Sequence, residues 1–139
     1  MPCCVLRVIG EAFEPGRVLA SLSLLPYSVF RKGDVRFVST GERFDVGGFN
    51  CEVSTADGDL TRQAADAIEF LERHHDDIRQ LIGLKEIESK YLDFGYDCRL
   101  DGERCCLQRD FLPSELLKHC GDLGVGIALS LYPTLIPES

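Results

Sequence analysis

Seven cysteines and three histidines are the residues of this 139-residue chain whose types could do chemistry most directly. A zinc site read from sequence needs paired ligands about two to four residues apart, so that one turn aims both at one ion. No pair of cysteines has that spacing. Cys3 with Cys4 and Cys105 with Cys106 are adjacent and fall in expected strands, where neighbours point to opposite faces. The Cys-x-x-Cys spacing of dithiol oxidoreductases is also missing. His74 and His75, followed by Asp76 and Asp77, put an imidazole and a carboxylate on one helix face, but the sequence announces no further ligand. His119 and Cys120 diverge by about 100° on a helix, so they do not make a base and nucleophile pair. A Cys/His or carboxylate site assembled from distant residues stays open as an alternative. The chain carries no nucleophile elbow, phosphate loop or dinucleotide fingerprint. Gly121, Gly124 and Gly126 run from helix into strand, the reverse of a phosphate-cradling loop.

What remains is a polar face. Arg7, Asn50, Glu52, Asp93, Asp97 and Arg99 fall on the outward phases of their expected strands, with Tyr91 as an aromatic anchor. These residues are the candidate binding surface. No catalytic set, metal-ligand set or cofactor is assigned.

The elements that must position them follow from periodicity. Cys3 to Ile9 is apolar and β-branched and ends at Gly10, a first strand. Pro15 suits a first helical position, and Val18, Leu19, Leu22 and Leu25 recur at helical spacing before Pro26. Tyr27 to Arg31 and Val35 to Ser39 flank Lys32, Gly33 and Asp34, which predicts a hairpin. Phe49, Cys51 and Val53 alternate with Asn50, Glu52 and Ser54 as a half-buried strand. Asp59 caps one long helix that carries Leu60, Ala64, Ala67, Ile68, Leu71, Ile78 and Ile82 on a single stripe as far as Gly83. Its outer face offers Arg62 with Asp66 and Glu69 with Arg73 at i,i+4. Leu92, Phe94, Tyr96, Cys98 and Leu100 oppose Tyr91, Asp93, Asp97 and Arg99 on a further strand, and Asp101 with Gly102 turns into a short strand at Cys105 to Gln108. A helix from Pro113 stops at Gly121 or Gly124, and Val125 to Leu131 is a last strand.

An internal echo at an offset of 98 residues pairs Phe13 and Pro15 with Phe111 and Pro113, and Leu19, Leu22 and Leu25 with Leu117, Cys120 and Leu123. It suggests two βαβ-like units. The expected architecture is therefore α+β: a mostly antiparallel sheet with three helices predominantly on one face. One domain spans residues 1–132, and 133–139 form a flexible tail.

Charge narrows the partners. The net charge is −8, which disfavours nucleic acid and anionic lipid. It is unevenly spread: Asp57 to Glu103 holds 13 acidic and 6 basic side chains, whereas Tyr27 to Phe44 holds four basic and two acidic. The longest mainly apolar segment, Val18 to Phe30, is too short and too interrupted to cross a bilayer, and no secretory signal pattern opens the chain. A cytoplasmic protein with free thiols is expected.

The series Leu6 to Gly10, the helix ending Leu22 to Pro26, Arg31 to Gly33, Gly47 to Val53, the long helix and Leu116 to Tyr132 resembles a family of small bacterial proteins catalogued as domain of unknown function 4279. The resemblance runs from about Val5 to Tyr132. Where that family often has Trp after the glycine pair, this chain has Phe49. The resemblance implies the same order of elements and brings no activity, cofactor or catalytic residue with it. The sequence thus points to a non-enzymatic, acidic protein-binding domain, for instance an immunity-type neutraliser of a basic bacterial protein. The alternative is a small enzyme or small-molecule binder.

Overall fold

The alternation of core and surface residues at the start of the chain produces a strand that every later strand is built around. The computed structural model describes residues 2–133. In chain order the elements are β1 (Cys4–Gly10), α1 (Pro15–Leu19), β2 (Ser28–Phe30), β3 (Val35–Phe37), β4 (Glu42–Arg43) and β5 (Gly47–Ser54). There follow α2 (Leu60–Arg73), α3 (His75–Leu81), β6 (Ser89–Cys98), α4 (Ser114–Leu123) and β7 (Gly126–Pro133). The main sheet has the order β2-β5-β1-β6-β7, with β3 and β4 as a separate pair.

β1 is flanked by antiparallel neighbours, β5 and β6, and β2 pairs antiparallel with β5. β7 runs parallel to β6, so the sheet is mixed rather than simply antiparallel. The parallel pair exists because α4 carries the chain back along the helical layer before β7 begins, as a βαβ unit requires. β1, α1 and β2 echo it loosely: β1 and β2 run parallel, but β5 lies between them.

One face of the sheet is dry. Leu6, Val8, Phe49, Cys51, Leu92 and Phe94 share a single core with Leu60, Ala64, Ala67 and Leu71 of α2, Ile78 and Leu81 of α3, and Leu116, Cys120 and Leu123 of α4. Phe13, beside α1, joins it against Phe49. All four helices among the described residues therefore lie on that face. The expected count of three fails at His74, where φ −106° and ψ 21° leave the helical basin and split the long helix into α2 and α3. Asp59 caps α2 as expected, accepting the Arg62 N–H at 3.1 Å, and Gly124 at φ 64° ends α4 in the left-handed region. No helix among the described residues is long and apolar enough to cross a membrane.

Four local expectations are corrected. The helix at Pro15 stops after Leu19, so the stripe loses its phase: Leu24 enters the core and Leu25 is 89% exposed. The hairpin around Gly33 does not form, because Gly33 N–H donates to Phe44 O and Phe44 N–H to Asp34 O, which pairs that turn forward and leaves β2 to β5. Ser54 turns inward, because a bulge at Cys4/Val5 skips Val53 and puts Ser54 opposite Cys4. There the Ser54 hydroxyl donates to Asp66 at 2.6 Å, and Asp66 makes no ion pair with Arg62. The strand at Cys105 to Gln108 is a loop: Asp101 Oδ1 accepts the N–H groups of Glu103, Arg104 and Cys105, and the Gln108 carboxamide, rather than its backbone, bonds Arg99 N–H and Asp97 O. Pro133 closes β7, and residues 134–139, the rest of the expected tail, lie outside the described residues.

The core contains one fully buried amide. Gln63 of α2 is 0% exposed, and its Nε2 donates to Ala56 O at 2.8 Å and to Gly95 O at 2.7 Å. Gln63→Leu strands both carbonyls and should lower unfolding stability by about 2 kcal/mol, since each buried acceptor left alone costs about 1–3 kcal/mol and relief of the unpaired Oε1 offsets part of it. Gln63→Glu should be worse at neutral pH, because a carboxylate faces two carbonyls and cannot donate. Its buried carboxyl has a raised folded pKa, so the deficit shrinks as pH falls towards 4 and the acid regains a proton to donate. Urea titrations of the three proteins check this; a Gln63→Leu midpoint equal to the parent's would remove the amide from the account.

Candidate functional site

The second face of the sheet is covered by no helix, and its side chains are those that alternate with the core. Arg7 lies at its centre, opposite Asn50 on β5 and Tyr91 on β6. Its Nε donates to Asp93 Oδ2 at 3.3 Å, and the Ser130 hydroxyl donates to Asp93 Oδ1 at 2.6 Å. A polar chain therefore crosses β1, β6 and β7. Asp93 is half-buried in this network, with a side chain 18% exposed.

Two open clefts flank Arg7. The larger, about 360 Å³, is walled by Phe30 and Phe44 and presents Arg7, Arg36, Asn50 and Tyr91. Phe44 stacks on Phe30 at 4.5 Å between centroids, and the Arg36 guanidinium lies over the Phe44 and Phe37 rings at 5.7 and 5.1 Å. Gly48 makes room for this wall, because a Cβ there would stand 2.9 Å from both the Phe30 ring and Ile9. Arg36 makes no ion pair with any described residue. The smaller cleft, about 140 Å³, lies between Tyr27 and Tyr132 with Arg7 and Asp93 at its floor.

The structure thus unites Arg7, Asn50, Tyr91 and Asp93 from the expected surface. Glu52 is exposed beside them, opposite Val5. Asp97 is exposed further along β6, next to Gly58. Arg99 is not part of the surface: it lies past the end of β6 and is tied to Asp110 at 2.8 Å. Sequence reasoning placed Tyr27 and Arg36 in the expected hairpin and not on this surface, and it missed Tyr132 and Ser130.

Of the cysteines and histidines, Cys3 lines the smaller cleft, whereas Cys4, Cys51, Cys120 and His74 lie on the helical side. Cys3, Cys4, Cys51, Cys105, Cys106 and Cys120 are free thiols. Cys4, Cys51 and Cys120 are buried, and burial pushes their thiols up, Cys51 and Cys120 to about 11. A groove of about 270 Å³ by α2 brings together Cys51, Asp66, Glu69 and His74. Its thiol is held protonated and Asp66 is occupied by Ser54, so the group lacks a thiolate nucleophile. His74 packs on Phe70 at 4.6 Å, and removal from water lowers its pKa.

Two measurements follow. Glu52→Lys with Asp97→Lys should shift stability by about 0.5 kcal/mol or less per site, whereas Asp93→Lys, which leaves Ser130 and a second cation facing Arg7, should cost about 1–3 kcal/mol. Equal denaturation midpoints for the two variants would refute the polar chain. For the thiols, folded-state pKa values raised from 9.0 to about 11 mean that the stabilisation is complete below 9 and lost as pH rises through about 11. Native alkylation at pH 8 should spare Cys4, Cys51 and Cys120; rapid modification of any of them contradicts the burial. Comparison with protein-family models, with curated proteins and with solved structures finds no match to this chain.

Proposed function

We propose that this chain is a non-enzymatic protein-binding domain, an immunity-type neutraliser of a bacterial protein partner, and that it belongs with the small proteins of domain of unknown function 4279. The observation that supports the reading is the makeup of the uncovered sheet face, where Tyr27, Tyr91 and Tyr132 surround Arg7 and the exposed Glu52 and Asp97 stand at the rim. Tyrosine and arginine are the side chains that recur at the energetic centres of protein interfaces, because each offers a large contact area and a polar tip. The clefts beside Arg7 are open and no histidine lines either, so the half-buried Cys3 at the smaller one has no imidazole base beside it, which suits contact with a broad surface more than enclosure of a reacting molecule.

Net charge sets the partner's sign. At −8 the chain repels phosphate-rich polymers and attracts a basic protein, and Glu52 and Asp97 bring that charge to the edge of the face. The rim residues act mainly on the rate and salt dependence of encounter, while the tyrosines and Arg7 hold the bound state.

The test is affinity capture from host lysate at low and high salt with the parent chain and the Glu52→Lys, Asp97→Lys double variant. The parent should retain a basic protein at low salt, and the double variant should retain about tenfold less of it. Hydrogen exchange on the captured complex should slow in β1, β5 and β6. Equal retention by the two chains, or protection confined to the helices, would overturn the proposal.

A further inference from the structure

On the far side of the molecule, between α2 and α4, we propose a divalent-cation site of the zinc class formed by Glu72, Glu115 and His119. One carboxylate oxygen of each glutamate and an imidazole nitrogen of His119 lie within 4.8 Å of one another. His119 Nε2 is 3.4 Å from Glu72 Oε1. Three donors bound to one Zn²⁺ at about 2.1 Å in tetrahedral geometry stand about 3.4 Å apart, so the arrangement needs only small rotations of two glutamates to close.

The backbone fixes the donors without relying on loops. Glu115 and His119 are one helical turn apart on α4, on one face. Glu72 reaches them from α2, which packs directly on α4. Each donor is the chain neighbour of a core residue: Leu71 at 0% exposure, Leu116 at 0% and Cys120 at 3%. The helix faces that carry the donors are therefore held by the same packing that holds the core. The helices thus preorganise the backbone beneath the donors and the part-buried His119 ring, while the two exposed glutamate side chains swing in to the ion.

Charge and donor type argue for an ion. Two carboxylates converge here, and no Lys or Arg pairs with either of them among the described residues; Arg73, the nearest in sequence, is bonded to Glu69 instead. The imidazole, with a side chain 25% exposed, supplies a nitrogen donor at the boundary of the core. An imidazole with two carboxylates favours first-row ions such as Zn²⁺ over Mg²⁺ or Ca²⁺, which take oxygen donors in larger numbers. Three protein ligands leave a fourth position to water, the open geometry.

The test uses the full chain, stripped with a chelator and kept reduced, titrated with ZnCl₂ by calorimetry at neutral pH. One ion should bind per chain, and His119→Ala, Glu72→Gln and Glu115→Gln should each weaken binding about tenfold or more. Glu69→Gln, on the same helix and outside the donor set, should bind as the parent does. Because seven thiols could also take zinc, Co²⁺ is the second probe: the parent complex should lack the near-ultraviolet thiolate charge-transfer band. At one Zn²⁺ concentration the melting midpoint of the parent should rise more than that of His119→Ala, since stabilisation grows with affinity for the folded state. No binding to the parent, unchanged affinity in His119→Ala, or a strong thiolate band would each overturn the site.

Discussion

The buried carboxamide of Gln63 is the point on which both sides of the molecule depend. It joins the first turn of α2 to the segment that leads into it, at Ala56, and to the middle of β6, at Gly95. A leucine there would pack, but it would leave two carbonyls in a dry core without donors. The amide thus fixes where α2 lies along the sheet. Because α2 carries Glu72 towards α4, and β6 carries Tyr91 and Asp93 on the opposite face, one pair of hydrogen bonds sets the registration of both surfaces.

The two faces of the sheet answer different physical demands. On the helical side packing dominates, with Gln63 and Ser54 as buried polar exceptions, and even the buried cysteines behave as small apolar residues whose protons are held by burial. On the open side the same strands keep their polar residues in contact with water. There Arg7, Asp93 and Ser130 satisfy one another across three strands. The bulge at Cys4/Val5 marks the boundary between these demands: it rotates Ser54 out of the polar row and into contact with Asp66.

How much of this was legible in the sequence follows from how far apart the partners are. β1, β5, β6 and the cap of α2 rest on local periodicity and on Asp59, so they could be read directly. The same alternation placed Arg7, Asn50, Tyr91 and Asp93 on one face. Pairing between distant segments could not be read. Lys32, Gly33 and Asp34 have hairpin chemistry, yet β2 is claimed by β5, and a three-residue strand carries too little pattern to announce that. The bend at His74 carries no Pro or Gly to signal it. Arg99 was misplaced because alternation continues past the last ladder bond of β6. Ser130 and Tyr132 lie on a parallel edge strand whose neighbour only the tertiary fold reveals. Glu72 and His119 meet for the same reason, through helix packing that no local spacing encodes.

β1, the first strand of the chain, is the central strand of the sheet, and this has a consequence for synthesis. A chain that leaves the ribosome from its N-terminus exposes Cys4 to Gly10 long before either neighbour exists: β5 begins at Gly47 and β6 ends at Cys98. Both edges of the strand then lack hydrogen-bond partners, and the side chains of Leu6 and Val8 remain in water. Sheet closure waits on loops of high contact order, which slows folding and lengthens the time that an apolar strand is open to wrong pairing. The nascent chain is therefore most vulnerable at β1, the strand that in the finished fold is closed on both edges by β5 and β6.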